Sequence, residues 1–216
     1  FAVGSTTKAM TAAALAMLVE EGKLAWDDPV TRHLPWFRLK DPWLTREITV
    51  RDLLTHRAGM GNADFLWYER ATTTRSILEK LALVDAAYSP RSSFIYQNLM
   101  YATAGEVVAA ASGMPWAEFV RTRIFRPLGM NETAPLLSET VGAPNVAWPH
   151  DHVDGRVVPI ENASVDPVAP AGAVWSSVSD MSRWLRFLLA GGVAEDGTRL
   201  LKQETVDELF RPQAFV

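Results

Sequence analysis

Hydrophobic and polar positions along the chain recur mainly with helical spacing. The segment from Ser5 to Gly22, STTKAMTAAALAMLVEEG, is apolar on nearly all faces between Met10 and Val19. A helix that is hydrophobic all round is usually buried, and a glycine such as Gly22 suits the position just after a helix end. Ser5 has the residue type of an N-cap. The pattern therefore predicts a long buried helix that begins at Ser5.

Six further helices are predicted from amphipathic or apolar periodicity bounded by capping residues, glycine and proline. They cover residues 49–59, 72–85, 98–113, 115–127, 179–191 and 202–210. In the first of them, Thr49 and Asp52 have the spacing of a capping box, and Gly59 is a stop signal. Residues 25–48 and 132–175 read as long irregular stretches, with a strand or hairpin arm at GRVVPI. Because parallel βαβ alternation is missing, a doubly wound sheet is not expected.

Composition describes one globular domain covering residues 1–216. The chain is 48% hydrophobic and carries a net charge of −4 without a basic cluster, so nothing points to nucleic acid as a partner. It has no cysteine, which excludes disulfides and thiolate metal sites. No apolar run approaches the ~20 residues of a membrane span. The chain opens on FAVGS, with neither an initiator methionine nor a signal peptide, and we expect a piece of a longer protein, incomplete at both ends.

Ser5 and Lys8 form an S-x-x-K pair at the start of the first predicted helix. Side chains at i and i+3 share a helix face, so the hydroxyl and the amine can hydrogen-bond. Burial and the positive end of the helix dipole both lower a lysine pKa, and a neutral amine can activate a serine nucleophile. The alternative is a capping serine beside a lysine that extends to solvent.

Tyr96 and Asn98 form a Y-x-N pair where a loop enters the helix predicted at 98–113. A tyrosine beside a lysine can carry a proton, and an asparagine amide can hold a lysine amine or a substrate amide. Alternatively, Tyr96 is a half-buried aromatic residue and Asn98 an N-cap.

In this order the two motifs resemble the signature of the serine β-lactamase and penicillin-binding-protein superfamily, on its class C β-lactamase, D-aminopeptidase and esterase branch. The segments ITVRDLLTHRAGM, FVRTRIFRPLGMNET and PAGAVWSSVSDMSRWLRFLLAGG are similar to its framework, so the resemblance covers nearly the whole chain. The resemblance implies an α+β, β-lactamase/transpeptidase-like fold. It also implies a serine hydrolase that works through an acyl-enzyme, without a cofactor or a metal.

The resemblance assigns roles residue by residue. Ser5 attacks an acyl carbonyl, Lys8 and Tyr96 share the acid and base roles as one coupled unit, and Asn98 positions Lys8 or the substrate. Gln97 stands where many relatives carry Ser or Ala; it is expected to face the cleft or the helix start and to bind substrate. Expected substrates are small esters, D-amino-acid amides or peptides, or β-lactams, with the first two favoured. The oligomeric state stays open, and the resemblance favours a periplasmic or secreted location.

The third family motif, K-T-G or H-x-G on a sheet strand, does not occur in this sequence. The family places most of its antiparallel sheet before the S-x-x-K helix and after the point that corresponds to Val216. We therefore expect mainly the helical region, with an apolar face at Met10–Val19 that is exposed unless further segments cover it. The alternative function is a non-catalytic scaffold or a partner-binding module that keeps the family fold.

Histidines at two further places in the sequence are candidates for a role. His150 and His152 have strand spacing for metal ligands, but without a third ligand a polar loop is the expected outcome. His56 belongs to the run Thr55-His56-Arg57 at the end of a predicted helix, which fits a C-terminal cation that interacts with the helix dipole. Both interpretations give these segments a structural role.

Overall fold

The protein is described by a computed structural model that covers residues 1–68 and 72–213. The described residues are mainly helical, with one pair of antiparallel strands. The α-helices are α1 (Thr7–Glu20), α2 (Val30–His33), α3 (Pro42–Glu47), α4 (Val50–Leu54), α5 (Thr74–Glu79), α6 (Asn98–Ser112), α7 (Trp116–Val120), α8 (Ala169–Gly172), α9 (Val178–Leu189) and α10 (Gln203–Phe210). The strands are β1 (His150–Val153) and β2 (Arg156–Pro159). Short 3₁₀ turns include Gly4–Thr6, directly before α1, and Asp64–Leu66.

Helix α1 runs through the core of the fold. Between Met10 and Leu18 every residue except Ala12 is buried. Helices α6, α7, α8 and α10 pack around it. The prediction of a buried helix is confirmed, but the expectation of an exposed apolar face at Met10–Val19 is wrong. The reason is that neighbouring helices, rather than a sheet, cover this surface.

Helix α6 is the second buried helix and places α8 beside α1. It ends at Gly113, whose φ of 75° is the left-handed conformation that favours glycine. In its middle, Gly105 lets α8 come very close: a Cβ at this position would lie 2.1 Å from Cγ of Pro170. No residue larger than glycine fits here without displacing α8.

The ends of two other helices show where local signals succeed and fail. The predicted capping box of Thr49 and Asp52 is present at the start of α4. The helix stops at Leu54 instead of continuing to Gly59, because His56 has a φ of 58° and cannot extend a right-handed helix. Helix α9 begins earlier than predicted: Ser177 is its cap and accepts a hydrogen bond from the backbone N–H of Asp180 at 3.2 Å.

The two stretches predicted to be irregular contain short elements. Residues 25–48 include α2 and α3, which periodicity did not reveal because each is shorter than two turns. The strand predicted at GRVVPI is confirmed as β2, which pairs with β1 in a hairpin. Asp154 and Gly155 form its two-residue turn with φ values of 49° and 75°, the conformation that two-residue hairpin turns require.

Candidate active site

Ser5 and Lys8 meet at the entrance to α1. Ser5 lies exposed in the 3₁₀ turn before the helix, while Lys8, in the first turn of α1, is only 7% exposed. Lys8 Nζ donates a hydrogen bond to Ser5 Oγ at 3.1 Å. The N-cap residue of α1 is Thr6, and no side chain caps the helix. Ser5 is therefore not the cap that its residue type suggested, and its hydroxyl faces the lysine amine instead.

Two further oxygen atoms hold Lys8 Nζ in place. Asn98 Oδ1 accepts a hydrogen bond from Nζ at 2.8 Å, and the backbone carbonyl of Ala171 accepts one at 2.7 Å. These partners are 90 and 163 residues away along the chain, so only the packing of α6 and α8 against α1 brings them together. The amine is fixed on three sides, with the serine hydroxyl on its solvent-facing side.

The environment of Lys8 weakens the binding of a proton by its amine. Burial lowers the pKa of Lys8 below its ordinary value, and this outweighs the hydrogen bond and charge of Tyr96 and the charge of Asp64, which raise it. No carboxylate forms an ion pair with Lys8 among the residues that the structure describes. A buried lysine without an ion-pair partner is the arrangement in which an amine can accept a proton near neutral pH.

Tyr96 lies beside this amine at the surface of the protein. Lys8 Nζ is 4.6 Å from the centre of its ring, and the side chain is 38% exposed. The structure therefore brings Ser5, Lys8, Tyr96 and Asn98 into one cluster, partly buried and open to solvent at the serine and the tyrosine.

Gln97 lies at the helix start, one of its two predicted positions. It is the N-cap residue of α6: its side-chain oxygen accepts from the N–H of Leu99 at 3.2 Å, and its Nε2 donates to the carbonyl of Gly61 at 2.7 Å. With 1% exposure it does not reach the cleft. The substrate contact expected of Gln97 therefore does not fit this position, because the side chain is engaged in capping.

His56 belongs to this site, although its position in the sequence predicted only a structural role at a helix end. Its ring stacks on Tyr96 with centroids 4.4 Å apart, and its Nδ1 accepts a hydrogen bond from the backbone N–H of Gln97 at 3.1 Å. Burial, together with the nearby charge of Lys8, lowers the pKa of His56 to about 4. The ring is therefore neutral near pH 7, so His56 is not the cation that the run Thr55-His56-Arg57 was expected to place at the helix end.

Asp64 and Ala171 also belong to the site, and the sequence predicted neither of them. Asp64 contacts the amide nitrogen of Asn98 from 34 residues away, and no local pattern marks it. Ala171 contributes a backbone carbonyl, which no residue type can reveal. The segment PAGAVWSS carried a signal only through its resemblance to a family framework.

The remaining candidates do not join the cluster. His150 and His152 lie exposed on β1. Within residues 1–68 and 72–213, no three histidine, aspartate or glutamate side chains form a group that could hold a metal ion. In the same part of the chain, none of the helices has the length and apolar character needed to cross a bilayer.

Comparison with known proteins agrees with this geometry. The sequence profile described as Beta-lactamase matches residues 1–215. The chain is 32% identical over 203 residues to the unguisins hydrolase of Aspergillus campestris, covering 88% of the chain and 38% of that protein. It is 30% identical over 205 residues to penicillin-binding protein 4 of Amycolatopsis lactamdurans, covering 93% of the chain and 54% of that protein.

A solved structure with the same fold is the D-stereospecific amidohydrolase from Streptomyces sp., with a TM-score of 0.78 and 25% identity, covering 96% of this chain and 64% of that one. The chain spans about half or less of the two curated relatives named above. The predicted β-lactamase/transpeptidase-like fold is confirmed, with a single two-stranded sheet among the described residues. The family profile matches residues 1–215, and the fold of the solved amidohydrolase covers 96% of the chain. The chain therefore belongs to the beta-lactamase family of hydrolases.

Proposed function

We propose that this protein is a serine hydrolase that forms an acyl-enzyme on Ser5. The observation that carries the proposal is the contact between Lys8 Nζ and Ser5 Oγ at 3.1 Å, made by a buried lysine whose pKa is lowered. A serine hydroxyl is a weak nucleophile until an adjacent base takes its proton. Lys8 is that base, and its partners allow it to act.

In the proposed resting state Lys8 is a neutral amine, and its hydrogen bonds accommodate this form. Asn98 Oδ1 and the carbonyl of Ala171 can only accept, so they take the two hydrogen atoms of the neutral amine. At the third contact the direction of the hydrogen bond then reverses: Ser5 Oγ donates its own hydrogen to the lone pair of Nζ, 3.1 Å away. When the Oγ–H proton moves to Nζ, the resulting ammonium has three acceptors in place.

The reaction follows from this arrangement. Ser5 Oγ loses its proton to the coupled unit of Lys8 and Tyr96 and attacks the carbonyl carbon. The C–O or C–N bond to the leaving group breaks, and the leaving group takes the proton from the same unit. Water then gives one proton to the same unit and attacks the acyl ester; the acid is released, and the proton from water passes to Ser5 Oγ. Asn98 holds Lys8 or the substrate throughout.

The substrates we propose are small esters and amides of D-amino acids, with β-lactams as a less favoured class. The solved neighbour named as a D-stereospecific amidohydrolase supports amide cleavage. The relative named as an unguisins hydrolase supports a hydrolase activity, and the relative named penicillin-binding protein 4 supports binding of penicillin. Ser5 and Tyr96 are both exposed to solvent, so a substrate can reach the serine.

Covalent labelling tests the nucleophile. The full-length protein is treated with a fluorophosphonate and, separately, with a penicillin, and the adduct is located by peptide mass spectrometry. We expect one labelled residue, Ser5, with no adduct in Ser5→Ala. An adduct on Ser93 or Ser176 would reassign the nucleophile. A protein that is folded but unlabelled by both reagents would favour the non-catalytic scaffold.

A second measurement tests the proton carrier. Tyr96→Phe keeps the ring that stacks on His56 and removes only the hydroxyl, so kcat for a p-nitrophenyl ester should fall by roughly 10²–10⁴ without a change in fold. A near-normal kcat would mean that Lys8 acts alone and that Tyr96 only lines the site.

A further inference from the structure

Asp64 receives hydrogen bonds from three side chains next to the proposed active site. Asn98 Nδ2 lies 3.2 and 3.1 Å from its two carboxylate oxygens, Trp67 Nε1 lies at 2.9 Å, and Asn62 Nδ2 at 3.1 Å. Its backbone N–H in turn donates to Asn62 Oδ1 at 3.0 Å. All three side-chain partners donate, and an ionised carboxylate is a pure acceptor, so the charged form of Asp64 satisfies every contact.

The contact with Asn98 determines which end of that amide faces the lysine. An asparagine side chain offers an accepting oxygen on one side and a donating nitrogen on the other. Because Asp64 takes the nitrogen, the oxygen points at Lys8 Nζ, which it reaches at 2.8 Å. The reversed amide would bring two donors together at Lys8 and oxygen against oxygen at Asp64.

We propose that Asp64 is a positioning residue that acts on Ser5 through Asn98 and Lys8. The four side chains form one continuous hydrogen-bonded series, from the carboxylate to the amide, the amine and the hydroxyl. From Asp64 to Lys8 the series has a fixed direction, because the carboxylate can only accept and so turns the accepting oxygen of Asn98 towards Nζ. The inference rests on the proposed function, in which Nζ must meet Oγ with the geometry of a proton acceptor.

Because Asp64 carries a charge near Lys8, its role can be tested through the pKa of Lys8. The titratable groups that face Lys8 are Tyr96 and Tyr101, with ring centres 4.6 and 5.3 Å from Nζ, together with His56 and Asp64. Asp64 is the carboxylate among them and raises the pKa of Lys8. Removal of its charge therefore lowers the pKa of Lys8 further and moves the acid limb of the pH profile to lower pH.

The experiment compares Asp64→Asn with the wild type in the full-length protein. The rate of fluorophosphonate acylation is measured against pH, and the Lys8 titration is followed by NMR of ¹³Cε-labelled lysine, assigned from the signal missing in Lys8→Arg. The control is Glu195→Gln, which removes an exposed carboxylate that pairs with Arg186 at 3.1 Å. We expect acylation to slow roughly 10-fold at its pH optimum, because misplaced groups lose rate steeply, and both the acid limb and the Lys8 titration to shift to lower pH.

The possible outcomes separate the two proposals. An unchanged rate and an unchanged Lys8 titration in Asp64→Asn would overturn the role of Asp64, as would equal changes in Glu195→Gln. A slower rate without any shift in the titration would mean a loss of packing only, and would also contradict the inference. If wild-type Ser5 is not acylated at all, the proposed function fails, while the Lys8 titration still decides whether Asp64 acts on the amine.

Discussion

Lys8 and Asp52 are both buried ionisable side chains, with 7% and 4% exposure, yet their surroundings have opposite effects. Asp52 accepts hydrogen bonds from Arg91 at 3.0 and 2.7 Å and from the backbone and side chain of Thr49. Burial alone raises the pKa of Asp52, but these partners outweigh it and lower that pKa, so the charge is kept. Lys8 has neutral oxygen partners instead, and burial prevails.

The difference shows how two side chains that are buried to a similar degree take different roles in one fold: Asp52 is a structural charge, and Lys8 is a reactive group. A full counter-charge and a capping role stabilise the ionised carboxylate of Asp52 and tie the segment that carries Arg91 to α4. Dipolar partners orient Lys8 without stabilising its cation to the same extent. The first arrangement favours stability, and the second leaves an amine able to exchange a proton.

Replacement of Lys8 should produce the largest effect on activity. Lys8→Met keeps the length of the buried chain and removes the base, so kcat/KM for a p-nitrophenyl ester should fall by roughly 10²–10⁴. Three hydrogen bonds are lost, but a poorly solvated amine is removed as well. The free energy of unfolding should therefore change by less than about 2 kcal/mol. Kinetics and urea unfolding check both parts; a severe loss of stability would make Lys8 a structural residue like Asp52.

His56 should contribute a pH-dependent part of the stability. Its folded pKa is about 4, against 6.5 for the free side chain, so the unfolded state binds the extra proton between these values. Stability is thus unaffected by this group above pH ~6.5 and falls as pH drops towards 4, by up to about 3 kcal/mol at ~1.4 kcal/mol per pKa unit.

His56→Asn isolates this contribution. Asparagine tolerates the φ of 58° at this position and does not titrate. Urea unfolding at pH 7, 5.5 and 4 should show a smaller loss of stability in the variant than in the wild type. Parallel curves for the two proteins would contradict a neutral, partly buried His56.

Asp52→Asn should have the converse effect to Lys8→Met. It keeps the shape of the side chain but removes the charge that Arg91 and Thr49 stabilise, which should cost about 2–3 kcal/mol. Activity per folded molecule should be unchanged, because Asp52 does not contact Ser5, Lys8 or Tyr96. Unfolding curves and kcat measured on the same sample test this; a tenfold loss of kcat would break the distinction between the two regions.

Gly105→Ala should reduce stability and activity together, and it therefore links the two kinds of region. Its new Cβ would overlap Pro170 at 2.1 Å, and relief of such overpacking typically costs about 1–3 kcal/mol. Because Ala171 follows Pro170 and holds Lys8 Nζ, kcat should fall as well. Gly113→Ala is a useful control, since no atom lies within 4 Å of its Cβ position. It should lose stability through its positive φ but keep kcat.

Local features of this protein could be predicted because they depend on neighbours along the chain. The Ser5–Lys8 contact spans three residues and follows from helix geometry once α1 is expected. The capping box at Thr49 and the strand β2 have equally local signals. Where local signals failed, a backbone conformation intervened, as at His56, or an element was too short to show a period, as in α2 and α3.

The sequence by itself determined a buried helix that presents a serine and a lysine on one face, and its motif order indicated the family. Only the tertiary structure decided what surrounds the amine: the carbonyl of Ala171, the amide of Asn98 and the carboxylate of Asp64 behind it. These groups come from elements 34 to 163 residues apart. Their effect on Lys8 depends on distance and burial, and these follow from the packing of α6 and α8 on α1, which no local pattern encodes.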